Sequence, residues 1–283
     1  MNKKPVIIGI GELLWDMLPS GKKVGGAPIN FAYHAARSGA ESYAISAIGN
    51  DLLGNEILQE INRVGINHII EKVNYPTGTV LVELNDGIPN YTIIESVAWN
   101  FIPLTEPMRK LAQKADAICF GTLAQRSEVS RNTIRTILSL VSKQAYRILD
   151  INIRQHYYSK KIITDSLRSC NVFKINDDEL NLLKAMYEKQ HLADEEVCRW
   201  FLKEFNLKFL ILTAGADYSS IFTPDNSSYI KTPKVKVVDT VGAGDSFTGA
   251  FISSIIDGKS LFQAHQTAVD RAAYVCTQAG AWV

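Results

Sequence analysis

Asp239-Thr240-Val241-Gly242-Ala243-Gly244-Asp245-Ser246-Phe247-Thr248-Gly249-Ala250-Phe251 runs from two small, flexible residues into an apolar helical stretch. Gly242 and Gly244 bracket Ala243 just ahead of a helix expected over Ser246–Ile256. Small residues there let successive backbone N–H groups point at one spot, and the helix N-terminus adds partial positive charge. The result is an anion site. Asp245 stands at the same place, where the helix dipole favours the ionised carboxylate. An anion hole beside a carboxylate suits phosphoryl transfer to a hydroxyl. The carboxylate takes the proton while the amides hold the developing charge. A bare GxGD of this kind is also explained by an N-cap after a glycine turn, so the rest of the chain has to decide.

Outward from that stretch, strands and helices alternate. Short apolar runs at Val6–Ile10, Tyr43–Ile48, Ala117–Phe120, Arg147–Ile151, Val172–Ile175 and Phe209–Leu212 read as buried strands. Amphipathic stripes at Pro28–Ser38, Leu53–Val64, Val129–Val141, Asp177–Tyr187, Val197–Phe205 and Leu261–Cys276 read as helices. Gly39 and Gly65 stand at two of the stops. Repeated βα units imply a parallel sheet covered on both faces. Two segments break the pattern: Leu13–Leu18, and Thr79–Asn85 with Tyr91–Glu95 around Asp86-Gly87, a hairpin signal. They look antiparallel and are expected to form a small separate sheet.

Composition narrows the function. The 283 residues are 46% hydrophobic, and 30 Lys+Arg against 29 Asp+Glu leave a formal charge of +1, so no footprint for nucleic acid or a membrane surface is present. Val237–Ile256, the longest apolar stretch, carries Asp239 and Asp245 and is no membrane span. Cys119, Cys170, Cys198 and Cys276 form no CxxC pair, which fits buried thiols in a reducing cytoplasm. Gly9-Ile10-Gly11 follows a strand, but the third glycine of a dinucleotide fingerprint falls on Leu14, which argues against a nicotinamide oxidoreductase. Gly258-Lys259-Ser260 ends a helix where a P-loop would begin one.

The longer string around Asp245 closely resembles the C-terminal DTxGAGDxF signature of the ribokinase-like (PfkB) sugar kinases. Gly25-Gly26-Ala27-Pro28-Ile29-Asn30-Phe31-Ala32 resembles that family's GGxxxN sugar-binding segment, and Gly49-Asn50-Asp51-Leu52-Leu53-Gly54 its GxDxxG element. Lys174-Ile175-Asn176-Asp177-Asp178-Glu179 resembles NxxE, and Leu212-Thr213-Ala214-Gly215-Ala216-Asp217 resembles the nucleotide turn TxGxxG, with Tyr218 in place of the last glycine. Asp150-Ile151-Asn152-Ile153-Arg154 is similar to the DxNxR of fructokinase-like and ketodeoxygluconate kinase-like members. Strand alternation would put Asp150, Asn152 and Arg154 on one side.

The resemblance implies one ribokinase-like domain over residues 1–283: a three-layer α/β/α sandwich with a mostly parallel central sheet. Lid segments over 12–24 and 76–103 would form a small β-sheet lid. It implies ATP-dependent phosphorylation of a sugar's primary alcohol. Asp245 would be the base and the amides of Gly242, Ala243 and Gly244 the anion hole. Asp16, Gly26, Asn30 and Arg154 would bind the sugar. Asn176, Thr213 and Gly215 would serve the nucleotide, and Glu179 would hold Mg²⁺ through water. Asp239 and Val241, with the Gly280 stretch opposite, resemble a K⁺-holding segment of several members. Tyr91 and Trp99 are candidates to stack on the sugar. Val80, Val82 and Leu84 would give the lid an apolar outer face, which suits a lid-to-lid homodimer. Gly11–Asp16 and Gly25–His34 look most like bacterial fructokinases, which points to D-fructose. Ketodeoxygluconate, ribose, a nucleoside, and a non-catalytic sensor on the same fold remain alternatives.

Overall fold

The computed structural model describes residues 3–18, 21–85 and 88–283, with the backbone alone at 82–85 and 88–91. Its main sheet contains β1 (Val6–Ile10), β4 (Glu41–Gly49), β5 (Asn67–Val73), β8 (Ala117–Phe120), β9 (Tyr146–Asp150), β10 (Val172–Asn176), β11 (Phe209–Ala214), β12 (Tyr218–Phe222) and β13 (Ser227–Lys231). The order across the sheet is β13-β12-β11-β10-β9-β8-β1-β4-β5. Pairings from β5 through β11 are parallel. β12 and β13 extend one edge antiparallel.

Period-2 alternation sorts each central strand between two cores. Ile8 and Ile10 of β1, Ile118 and Phe120 of β8, Leu149 of β9, and Phe173 and Ile175 of β10 share one core. Helices α3 (Glu106–Ala112), α4 (Glu128–Leu140), α5 (Lys160–Ser169), α6 (Asp177–Met186) and α7 (Asp194–Glu204) cover that face. Ile7, Ala117, Cys119, Ile148 and Val172 face the other way, towards α1 (Ala27–Arg37), α8 (Ala243–Ile256) and α9 (Leu261–Cys276). By the same alternation Asp150 and Lys174 lie on the α8 face, paired in register. α2 (Leu52–Val64) closes a third cluster with β4 and α1, capped by Asp51 at its start and by Gly65 in the left-handed region at its end.

The small sheet has the order β3-β2-β6-β7, from β2 (Leu14–Leu18), β3 (Gly21–Gly25), β6 (Gly78–Asn85) and β7 (Ile88–Ile93). The two outer pairs are antiparallel, but β2 and β6 run parallel, which corrects the antiparallel expectation. The chain between them passes through β4, α2 and β5, so β6 returns from the same end. The Asp86-Gly87 turn lies outside the described residues. Val80 does not face outward: it is buried with Leu14, Ile93 and Trp99 in the main core, and Leu81 is the exposed neighbour. The side chains of Val82, Leu84 and Tyr91 lie outside the described residues. Trp99 has no ring face open to a sugar, because it is fully buried with Arg126 stacked on it at 4.2 Å.

Further elements were not legible beforehand. α8 starts at Ala243 rather than Ser246, which places Asp245 inside its first turn. β9 ends at Asp150, and Asn152 takes a left-handed φ of 42°, so alternation does not carry on to Arg154. All four cysteines are free. Among the described residues no helix is long and apolar enough to cross a membrane.

Candidate active site

The C-terminal ends of β1, β9, β10 and β11 face the N-termini of α1 and α8, the place where open α/β sheets take ligands. Gly242 caps α8 with φ 80°, and a Cβ there would lie 2.7 Å from the Ala281 Cβ. Only glycine suits both the torsion and the approach. The Ala243 N–H turns back to the Thr240 carbonyl at 3.2 Å. Of the three amides expected to form the hole, that of Ala243 is engaged within the turn, and Asp245 stands in the first turn of α8.

Asp245 Oδ2 accepts a hydrogen bond from Asn30 Nδ2 at 2.8 Å, across 215 residues of sequence. Asn30 Oδ1 in turn accepts from the Trp282 indole at 2.9 Å. The amide of Asn30 is therefore fixed in orientation, with its Nδ2 donating to the Asp245 carboxylate. Burial pushes the Asp245 carboxyl up to about 7, with the Asp150 carboxylate adding to the rise while Asn30, Lys174 and Arg154 oppose it.

Lys174 and Asp150 form a buried ion pair at 3.2 Å directly beneath this point. The ammonium lies so close to α8 that a Cβ on Gly244 would stand 3.1 Å from it. Burial opposes the lysine's charge, but Asp150, Glu179 and Asp245 outweigh that and raise its pKa. The pair was visible in sequence as charges inside the apolar runs Ile148–Ile151 and Val172–Ile175. A role for Lys174 was not read from it.

Three carboxyls gather on the α1 side. Gly26, the α1 N-cap with φ 126°, passes so close to the Glu12 carbonyl that no side chain fits. Glu12 itself is buried, and its Oε2 has no hydrogen-bond partner. Burial lifts its carboxyl to about 7, Asp245 adds to this, and Arg154 lowers it. Asp16, on β2 opposite Lys23, is lifted by burial to about 6 and drawn down by Arg154. Exposed Arg154 thus acts on Glu12, Asp16 and Asp245 together. Glu12 escaped the sequence reading; its signal is an acid directly after a fully apolar strand.

On the β10 side the Glu179 carboxylate has a donor on each oxygen. Asn176 and Glu179 form a reciprocal capping box: Asn176 Oδ1 accepts the Glu179 N–H at 2.8 Å, and Glu179 Oε2 accepts the Asn176 N–H at 2.9 Å. Glu179 Oε1 accepts the Ile153 N–H at 2.9 Å. Both oxygens are occupied by donors, and each keeps a further lone pair. The residue fits a hydrated Mg²⁺ carried on phosphates, not direct ligation. Thr213 pairs in register with Asn176, and its hydroxyl makes only a long 3.5 Å contact with the Ile175 carbonyl. Gly215 is exposed in the turn that leads to β12. Asp239 sits near Gly280, and Lys23 reaches the same carboxylate. His34 is spent structurally: its Nδ1 accepts from Arg271 at 3.1 Å and its Nε2–H donates to the Ala281 carbonyl at 2.8 Å.

Comparison with known proteins places the chain in a family. The family model for pfkB family carbohydrate kinases matches residues 20–282. An ATP-dependent 6-phosphofructokinase of Thermoanaerobacterium thermosaccharolyticum is 24% identical over 100% of this chain and 91% of its own length. A fructokinase of Rhizobium leguminosarum bv. trifolii is 24% identical over 88% of this chain and 79% of its own. Among solved structures, a double mutant of the fructokinase of Vibrio cholerae O395, bound to fructose, ADP and potassium ion, superposes with a TM-score of 0.84 at 21% identity, covering 100% of this chain and 96% of that one. The chain belongs to the pfkB family of carbohydrate kinases. It is a sugar kinase of that family, on the ribokinase-like fold.

Proposed function

We propose that the chain transfers the γ-phosphoryl group of ATP to the primary hydroxyl of a hexose, with D-fructose giving fructose 6-phosphate as the first choice. One observation carries the reading: the 2.8 Å bond from Asn30 to Asp245 joins the segment that resembles a sugar site to the residue that resembles the base. Asn30 holds Oδ2, so Oδ1 of Asp245 takes the hydroxyl proton as the oxygen attacks phosphorus. A carboxyl near 7 is matched to that task at neutral pH. The free amides at the start of α8 hold the charge that develops on the transferred group. Asp16, Gly26 and Arg154 position the sugar; Asn176, Thr213 and Gly215 position the nucleotide.

Bound Mg²⁺ supplies charge neutralisation on the phosphates, and Glu179 orients its water shell. The small sheet covers the sugar and keeps water from the phosphoryl group. The free thiols suit a reducing cytoplasm. The fructose choice is supported by Gly11–Asp16 and Gly25–His34 and by the fructokinase relatives.

A coupled ADP-release assay tests both levels. The panel is fructose, ribose, 2-keto-3-deoxygluconate, fructose 6-phosphate and adenosine. The expected result is release with fructose well above the sugar-free blank. Release with another acceptor alone removes fructose and keeps the kinase; release with none in the panel favours a sensor.

A further inference from the structure

The expected K⁺ position at Asp239 and Val241 is already served by a lysine. Asp239 lies in the loop that leads into Gly242 and the α8 anion hole. Its Oδ1 accepts the Val241 N–H at 3.1 Å. Its Oδ2 accepts the Gly280 N–H at 3.0 Å and the Lys23 ammonium at 3.1 Å. The donors come from three places: the loop itself, the C-terminal segment and β3 of the small sheet. The ammonium also lies against Gly280, 3.9 Å from where a Cβ would be.

A free monovalent cation is recognised by oxygen atoms with lone pairs facing it. Here Oδ2 of the carboxylate takes two donors and Oδ1 one, and the positive charge of Lys23 stands beside it. A second unit charge a few ångströms away would be repelled by that ammonium. The residues present do not fit a free K⁺ alongside the lysine.

We propose that the Lys23 ammonium takes the place of a monovalent cation, so that this kinase works without K⁺. The proposal rests on the sugar-kinase reading. The ammonium neutralises Asp239 and holds loop 239–242 against the Gly280 segment, which keeps the start of α8 in shape. Lys23 is the register partner of Asp16, so the charge arrives on the strand paired with the one that carries a sugar-side carboxylate. Seating of the small sheet and readiness of the anion hole are thereby linked. The ion pair is partly exposed, with side chains 40% and 20% accessible, so its worth is the placement of charge and not stability.

The experiment compares K⁺ with tetramethylammonium at constant ionic strength, by turnover and by thermal unfolding. The parent should turn over equally in both salts and show the same Tm. Lys23→Met should lose about tenfold in kcat in tetramethylammonium and regain most of it as K⁺ is added. Its Tm should rise with K⁺ as binding to the folded state requires. Lys23→Arg keeps the charge and should stay independent of K⁺. Unfolding needs neither sugar nor ATP, so a wrong kinase assignment leaves that arm intact. A K⁺-activated parent overturns the proposal. So does a Lys23→Met variant that matches the parent, or one that loses turnover while neither rate nor Tm responds to K⁺; the last result would make Lys23 only a latch.

Discussion

The two sides of the cleft use the same residue types to opposite ends. On the β10 side, Glu179 and Asn176 cap each other's backbone and Glu179 also holds the Ile153 amide, so both oxygens of the buried carboxylate have donors. On the α1 side, Glu12 keeps an orphaned oxygen, and Glu12, Asp16 and Asp245 are all pushed towards neutral pH by burial. Satisfied groups make a scaffold; buried polar groups left incomplete wait for a ligand or a proton. The difference teaches where chemistry is poised and where shape is kept. Lys174 stands between the two, with carboxylates from both sides around it.

The sharpest break of that contrast is Asp245→Asn. Size and the Asn30 contact are kept while the proton acceptor is lost. Turnover should fall by roughly 10²–10⁴, with ATP binding preserved in a titration that follows heat. Near-native turnover would remove Asp245 as the base. Next is Lys174→Met, which leaves Asp150 buried without its cation. Unfolding in denaturant should show a loss of about 3–5 kcal/mol. Adding Asp150→Leu should recover much of it, since an apolar pair costs less than one stranded charge. If the double variant is no better than the single, the pair is not the unit that holds this floor together.

Glu12→Gln tests the incomplete side through pH. The folded carboxyl titrates at about 7, against an ordinary value of 4.5. A raised acid pKa means the folded state keeps the proton longer than the unfolded chain. The stability it contributes is full below about pH 4.5 and is lost as pH rises through 7. Asp16 and Asp245 act in the same direction. Glutamine stays neutral throughout, so the variant should gain about 1–3 kcal/mol over the parent at pH 8 and little at pH 4.5. Parallel stability curves for the two proteins would show that Glu12 is not held neutral.

Much of this contrast was legible in sequence where the signal is local. The glycines around Ala243 and the apolar runs of β1 and β8 were read where the structure has them, as was α9. What failed depends on partners far along the chain. β12 and β13 carry serines and tyrosines that become strand only as β12 pairs onto β11 and β13 onto β12. The parallel join of β2 to β6 spans segments more than sixty residues apart, and nothing in either states a direction. Val80 alternates like an outward residue until the main core is packed against it. Trp282 holds Asn30 across 252 residues, a contact no spacing rule encodes. Lys174 and Glu12 show the same limit: their charges are plain in sequence, but their burial is not.

The smallest effect belongs to Thr213, and it sharpens the boundary between scaffold and site. Its hydroxyl reaches the Ile175 carbonyl at 3.5 Å, the outer limit of a hydrogen bond, so little stability rests on it. The residue is half-buried at the C-terminal end of β11, beside Asn176 in register. Unlike the Glu179 carboxylate, whose two oxygens each hold a backbone N–H, this hydroxyl is only weakly engaged. Thr213→Val keeps the β-branched shape and removes the hydroxyl. The melting temperature should stay within about 2 °C of the parent, because a weak partner is lost and a methyl is added. If the hydroxyl meets the nucleotide, the KM for ATP should rise by roughly 3–10-fold, the worth of one neutral hydrogen bond, while the KM for sugar holds. A drop in stability with no change in either KM would move Thr213 to the scaffold, leaving the nucleotide to exposed Gly215 and its turn.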